Sequence, residues 1–362
     1  MLRFANAALI SGFWATALTA QARPNPTRAT AAPREPVLDM HMHARTAAHY
    51  GATGLPMCTP VERMPRWDNQ SVPPLSDSTA PPPCRRPVLS PDSDSAVFRQ
   101  TIAAMQRHHV FGVLGGAPDL VRQWMSAAPG RFIAGLDLRF DSETGNARAA
   151  TPAGSPNHWL SLDSIRALHA RGAFQVLAEV MNQYAGILPD DPRLEPLWKL
   201  AESLDIPVGI HIGGGDPATI YTGSPNFRAR HQSALTLEEV LVRHPKLRVY
   251  IMHAGYPLLD DLQALMFSHP QVYVELSMAV NVETRPAFHR FLKGIVEAGY
   301  GDRVMFGSDQ MVWPQLIEAG IRGINDAPFL TRSQKRDILY NNAARFLRLS
   351  PAEIARHHGR VP

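Results

Sequence analysis

The chain has 362 residues, of which 45% are hydrophobic and 19% charged, and its formal net charge is +4. This composition excludes intrinsic disorder, and the length fits one large α/β barrel or two ordinary domains. Lys and Arg are scattered rather than clustered, so the basic balance gives no ground for a nucleic-acid partner.

The N-terminus opens with Met1-Leu2-Arg3, runs through small apolar residues from Ala7 to Ala20, and reaches Ala20-Gln21-Ala22, a small-x-small cleavage pattern. Residues 1–22 therefore read as a signal peptide, and the mature protein is expected in the periplasm or secreted, with no membrane contact after cleavage. The apolar part is too short for a comfortable membrane span. The alternative is a cytosolic chain with a frayed apolar start, because Arg3 is the only positive residue there. Residues 23–35, rich in Pro, Ala and Arg, read as a linker, residues 36–350 as the folded domain, and residues 351–362 as a tail.

The first strand is Val37-Leu38-Asp39-Met40-His41-Met42-His43. Side chains at i and i+2 of a strand share a face, so His41 and His43 can aim two imidazoles at one point. Alone, the pair is as readily two polar residues ending an ordinary strand. The chain then enters a proline-laden segment, Gly51 to Pro91, that holds both cysteines, Cys58 and Cys84. In an oxidising compartment they can bridge and pin this insertion; otherwise they are two unpaired thiols.

From Ala96 onward strands and helices alternate. Helix Ala96–His109 precedes strand Val110–Leu114, helix Ala117–Ala128 precedes strand Phe132–Leu138, and helix Leu162–Ala170 precedes strand Ala173–Val180. Helix Leu194–Leu204 leads to strand Ile206–Ile212, helix Leu235–Arg243 to Leu247–Met252, helix Leu258–Phe267 to Val272–Leu276, and helix Pro286–Ala298 to Val304–Phe306. Counted from Val37 these make eight strands, each apolar for most of its length, as parallel strands covered on both faces are. The fold class is α/β, a (β/α)8 TIM barrel with a Pro-rich insertion after the first strand, and a C-terminal helix, Arg332–Leu347, that flanks it. An open dinucleotide-binding sheet competes, but Gly213-Gly214-Gly215 lacks the GxGxxG spacing and follows the fifth strand.

Barrel enzymes carry their chemistry at the C-terminal ends of the strands. Here the first strand ends in His41 and His43, the fourth carries Glu179, the fifth ends in His211, the sixth in His253, and the eighth runs into Asp309. Each has a plain alternative: Glu179 pairing with an arginine, His211 and His253 as hydrogen-bonded core residues, Asp309 capping a helix. Jointly they form a set of metal-ligand types in the right places.

The set Asp39-Met40-His41-Met42-His43, His211 before a Gly-rich loop, Met252-His253-Ala254-Gly255 and Phe306-Gly307-Ser308-Asp309 resembles the amidohydrolase superfamily. The branch is the one that includes aminocarboxymuconate-semialdehyde decarboxylase and related TIM-barrel metal-dependent hydrolases, over about residues 36–348. The resemblance implies that His41, His43, His211 and Asp309 bind a divalent metal, with His253 a second-metal ligand or a group that steadies the attacking hydroxide. It implies a structural role for Asp39 and leaves Glu179 to decide between one ion and two. Imidazole and carboxylate ligands favour Zn2+, and Mn2+ and Fe2+ accept similar sets. Relatives are often dimers, so a homodimer is expected, although no residue locates its interface.

The implied chemistry is hydrolysis of an amide, lactone or ester carbonyl in a small molecule, with Asp309 taking a proton from water and returning it to the leaving group. Non-oxidative decarboxylation of an aromatic or unsaturated acid is the runner-up. Candidate substrate contacts are Arg139 and Arg228 for an anionic group and Tyr256 and Trp313 for a ring; surface pairing and packing are the alternatives for each. His244, His269, His357 and His358 are expected to stay away from the metal.

Overall fold

The computed structural model describes residues 35–70, 82–149 and 159–360. The expected signal peptide, and the linker up to residue 34, lie outside the described residues. Eight parallel strands follow one another around a nearly closed barrel: β1 (Val37–Ala44), β2 (Val110–Gly116), β3 (Phe132–Phe140), β4 (Val176–Val180), β5 (Val208–His211), β6 (Val249–Met252), β7 (Tyr273–Glu275) and β8 (Val304–Met305). Across the seam, Met40 N–H donates to Phe306 O at 2.9 Å and Asp309 N–H to His41 O at 2.8 Å, tying β1 to the chain leaving β8. The fold is the expected (β/α)8 barrel.

The outer layer is α1 (Asp94–His108), α2 (Pro118–Ala127), α3 (Leu162–Ala170), α4 (Glu195–Ser203), α5 (Glu238–Arg243), α6 (Leu259–Ser268), α7 (Arg285–Glu297) and α8 (Gln315–Asn325). Sequence reading did not find α8, the helix that completes the eighth unit. Its buried side chains include Leu316, Ile317, Ile321 and Ile324 at helical spacing, but Gly320 and Gly323 dilute the propensity. Both glycines are there for close packing: a Cβ on Gly320 would stand 2.9 Å from the Phe306 ring, and one on Gly323 would strike Arg285.

Apolar side chains form two large bodies, beside a small cluster of Val312, Trp313 and Leu316. One lies between strands and helices and includes Val37, Met42, Leu136, Ile210 and Phe288. The other fills the lower barrel, where Leu38, Met40, Phe111, Val113, Val176, Tyr250 and Met305 meet Tyr340, Ala343 and Phe346 from the C-terminal segment. That segment is helical over Arg332–Arg336 and Asn342–Phe346, with a π-helical stretch at Asp337–Asn341 between, and it plugs the barrel's N-terminal end. The stretch expected to be a tail contains a further helix, Pro351–His357, opened by a Ser350–Glu353 capping box. Its buried His357 stacks on Phe111 at 3.9 Å and meets the Tyr340 hydroxyl at 3.0 Å.

In the insertion after β1, Pro56–Met57 pairs antiparallel with Val88–Leu89, and Cys58 and Cys84 are joined by a disulfide. Among the described residues, no helix is long and apolar enough to cross a membrane.

Candidate metal centre

An irregularity in β1 aims the first two histidines. Against β2, Asp39 pairs with Gly112 and Met42 with Leu114, so three steps on β1 match two on its neighbour. The extra residue breaks the alternation. Leu38 and Met40 point into the barrel, Met42 and Ala44 point to the outer layer, and between them His41 and His43 both turn inward, each 2% exposed. Their Nε2 atoms face each other at 3.0 Å. Asp39 holds the bend: its Oδ1 accepts the N–H of His41 at 3.0 Å and of Ser308 at 2.9 Å. Burial pushes the Asp39 carboxyl up to about 7, against those hydrogen bonds.

Glu179, His211, His253 and Asp309 converge on the same point, all buried. Glu179 Oε2 is 3.9 Å from His41 Nε2 and 3.6 Å from His43 Nε2, and Asp309 Oδ1 is 3.6 Å and 3.1 Å from the same atoms. Ligand atoms of His41, His43 and Glu179 lie within 4.8 Å of one another, as do those of His41, His253 and Asp309 and those of Glu179, His211 and His253. Glu179 is common to the first and third groups. His253 (φ 62) and Asp309 (φ 45) adopt left-handed backbone, uncommon for such residues and concentrated at functional sites.

The fit of this cage to a divalent cation is tested by what stands behind each ring. His43 Nδ1 is 3.1 Å from Asp137 Oδ2, an acceptor, with Arg45 Nη2 3.5 Å from that carboxylate. His211 Nδ1 is 3.0 Å from Gln183 Oε1, whose identity as oxygen is fixed because it also accepts the Gly213 N–H while Gln183 Nε2 donates to Gly213 O. His253 Nδ1 is 3.2 Å from the Ser277 carbonyl, and His41 Nδ1 is 3.3 Å from Glu275 Oε2. An acceptor thus stands behind every Nδ1, although at His43 the Arg45 Nη2 donor also approaches to 3.2 Å; a proton held on Nδ1 leaves Nε2 bare toward the centre, the arrangement metal-ligating imidazoles adopt. Asp309 Oδ1 is buried and makes no hydrogen bond. Four ring nitrogens in overlapping groups, with a carboxylate oxygen that makes no hydrogen bond among the described residues, fit a divalent ion. Glycine makes room for two of the holders: a Cβ on Gly115 would collide with Asp137 and one on Gly307 with Glu275.

With the protein's own charges alone, electrostatics favour a proton on His41 and His43, which a bound cation would displace. Burial acts to lower His41 and His43, but Asp309, Glu179 and Glu275 around the first, and Asp137 and Asp309 around the second, overcome it and raise both. Burial, then the neighbouring His253, lowers His211 to about 3, and burial with His41 nearby lowers His253. Glu179 and Asp309 are held far below the usual carboxylate range because the histidines outweigh the cost of burial.

Above the cage is a cavity of 230 Å³ lined by Arg45, Tyr50, Arg139, Tyr184 and Asp216 beside Glu179, His211, His253 and Asp309. Of the four expected substrate contacts, Arg139 lines it, and its guanidinium has no hydrogen bond or ion pair among the described residues. The other three lie elsewhere. Arg228 donates to the carbonyls of Pro225 and Phe227, Tyr256 packs on Phe291 and donates to Glu283, and Trp313 is buried with its indole N–H on Leu55 O. Nearness to a strand end did not settle which way these side chains turn. Arg45, Asp137, Gln183, Glu275 and Ser277 were not found from sequence. Asp137 and Glu275 had a usable signal, being acids inside otherwise apolar strands, the same signal that marked Glu179.

A parallel barrel with histidines and acids gathered at the C-terminal ends of β1, β4, β5, β6 and β8 defines a barrel enzyme of the metal-cage type. The amidohydrolase family model matches residues 38–349, and the chain belongs to that family. No curated protein matches the chain. Among solved structures it is similar to the apo form of IDCase from Metarhizium anisopliae, at 18% identity over 87% of this chain and 97% of that one, with a TM-score of 0.52. It is also similar to a protein described as a probable 2-pyrone-4,6-dicarboxylic acid hydrolase from Acinetobacter baumannii with citric acid bound, at 14% identity over 86% and 99%, TM-score 0.53. A third is 5-carboxyvanillate decarboxylase from Sphingomonas paucimobilis, at 17% identity over 69% and 82%, TM-score 0.48. At these identities the likeness to the first two speaks to the fold alone.

Proposed function

We propose that the protein is a metal-dependent hydrolase that cleaves an amide, lactone or ester carbonyl in a small anionic molecule. The observation that carries this reading is the gathering of His41, His43 and His253 around Asp309, whose Oδ1 makes no hydrogen bond among the described residues, with Glu179 joining His211 to the group. His41, His43, His211 and His253, with Glu179 and Asp309, would hold the ion, and the imidazole-rich set favours zinc over manganese or iron. Glu179, shared between two ligand groups, supports room for two ions. A divalent ion bound there would lower the pKa of water toward neutrality and so would supply hydroxide.

The chain's own residues do the rest. Asp309, held by its N–H to His41 O, would offer Oδ1 to the ion, accept the proton of the attacking water on its other oxygen and return it to the leaving group. Arg139, without a hydrogen bond or ion pair among the described residues, and Arg45, whose buried Nε has no partner among them while its Nη2 faces Asp137, orient an anionic group of the substrate over the cage. Decarboxylation is the second reading, because arginines that grip a carboxylate serve either reaction. Export is also proposed: the Cys58–Cys84 disulfide supports an oxidising compartment, in line with the N-terminal signal pattern.

The test is turnover of lactones, esters, amides and hydroxybenzoates in 18O-labelled water. Label in the acid product supports hydrolysis; carbon dioxide without label would replace it with decarboxylation.

A further inference from the structure

Behind the four imidazoles stand the side chains of Asp137, Gln183, Glu275 and Ser277, and one of these serves two rings. Asp137 serves His43 and Gln183 serves His211, but one hydroxyl, Ser277 Oγ, stands 2.9 Å from His41 Nδ1 and 3.0 Å from His253 Nδ1. Those two histidines come from β1 and from the end of β6, and Ser277 follows β7. A hydroxyl has one proton and two lone pairs. Its proton goes to Glu275 Oε2 at 2.8 Å, and its two lone pairs accept the two ring N–H groups, so the count closes. Glu275 is fully buried, and its other oxygen accepts the Ser277 N–H.

We infer that Ser277, ordered by Glu275, is a positioning residue that sets the tautomers of His41 and His253 together, so that both sides of the cage gain or lose metal affinity as one unit. The inference rests on the metal reading above. A merely structural Ser277 would stabilise the corner after β7 equally with and without metal. A shared clamp acts on metal affinity and leaves the metal-free melting temperature near that of the parent protein.

Partners behind metal ligands typically contribute about 10–100-fold in affinity. After Ser277→Ala, His41 keeps Glu275 Oε2 at 3.3 Å and His253 keeps the Ser277 carbonyl at 3.2 Å, which places the expected loss near about tenfold. The experiment titrates cobalt(II) into the metal-free full chain, reading visible absorption and competition with a chelator. Ser277→Ala is expected to weaken every cobalt site and shift the spectrum, with Ser277→Thr restoring both. Gln183→Ala, which among the four rings frees only His211, is expected to disturb one side of the cage. Equal affinity and an unchanged spectrum in Ser277→Ala overturn the clamp. So does a loss in Ser277→Ala that Ser277→Thr fails to restore. Should Ser277→Ala not fold, Glu275→Gln carries the same test, since it withdraws the charged acceptor that orders the hydroxyl; unchanged cobalt binding there overturns the clamp. A parent protein that binds no cobalt overturns the metal reading itself, a distinct result.

Discussion

The two ends of the barrel are built from the same strands by opposite chemistry. Within β1, Leu38 and Met40 pack into the lower plug while His41 and His43, one bulge further along, enter the cage. β6 repeats the pattern, with Tyr250 and Met252 in the plug and His253 just past the strand end. At the lower end an apolar cluster is closed by Tyr340 and Phe346, and burial there stabilises the fold. At the upper end buried charges are retained at a cost in desolvation, which only paired and hydrogen-bonded groups offset. The comparison teaches that stability and chemistry separate along the barrel axis, so substitutions at the two ends should have separable effects.

The largest effect is expected at the mouth. Asp309→Asn keeps shape and removes the base, so kcat should fall about 10²–10⁴-fold while the melting temperature holds. Activity within tenfold of the parent would break the assignment of the base. At the opposite end, Phe346→Ala removes a ring packed on Tyr250 and Tyr273 and should cost about 3–5 kcal/mol in denaturant unfolding. Its activity per folded molecule should be retained; a matching loss of kcat would show that the two ends are coupled. Arg139→Ala should raise KM about tenfold for an anionic substrate, roughly 1.4 kcal/mol, with little change in kcat. An unchanged KM would remove Arg139 from substrate binding.

The smallest effect is one of pH at the plug. Burial, with Arg356 adding to it and Glu353 opposing, lowers His357 from 6.5 to about 4. The folded state therefore keeps this ring neutral where the unfolded chain protonates it. Its contribution is complete above about 6.5 and is lost as pH falls through about 4. His357→Phe, which keeps the stack on Phe111, should flatten the decline in melting temperature across that window; parallel curves would contradict the sign.

Much of this organisation was legible in the sequence, for a physical reason. Strands buried on both faces read as apolar runs, so a histidine or acid at the end of one stands out, and the cage could be listed residue by residue. What the sequence hid depends on contacts between distant segments. The bulge between Asp39 and Met42 is a property of register against β2, and α8 was masked by glycines that its packing on Phe306 and Arg285 requires. Gln183 and Ser277 are ordinary polar residues until the fold sets them behind His211, His41 and His253. The rim residues Arg228, Tyr256 and Trp313 lie near strand ends, yet their side chains are spent on backbone carbonyls, on Glu283 and on packing.

The central claim is that the cage holds a divalent cation on imidazole nitrogens kept bare by the groups behind them. The measurement that tests it most directly is elemental analysis of the purified chain beside a His41→Ala, His43→Ala double variant, both checked for folding. The parent is expected to carry one or two divalent ions per chain, and the variant to lose its bound metal. A folded parent with no stoichiometric metal after incubation with zinc, or a variant that retains the parent's full content, would contradict it.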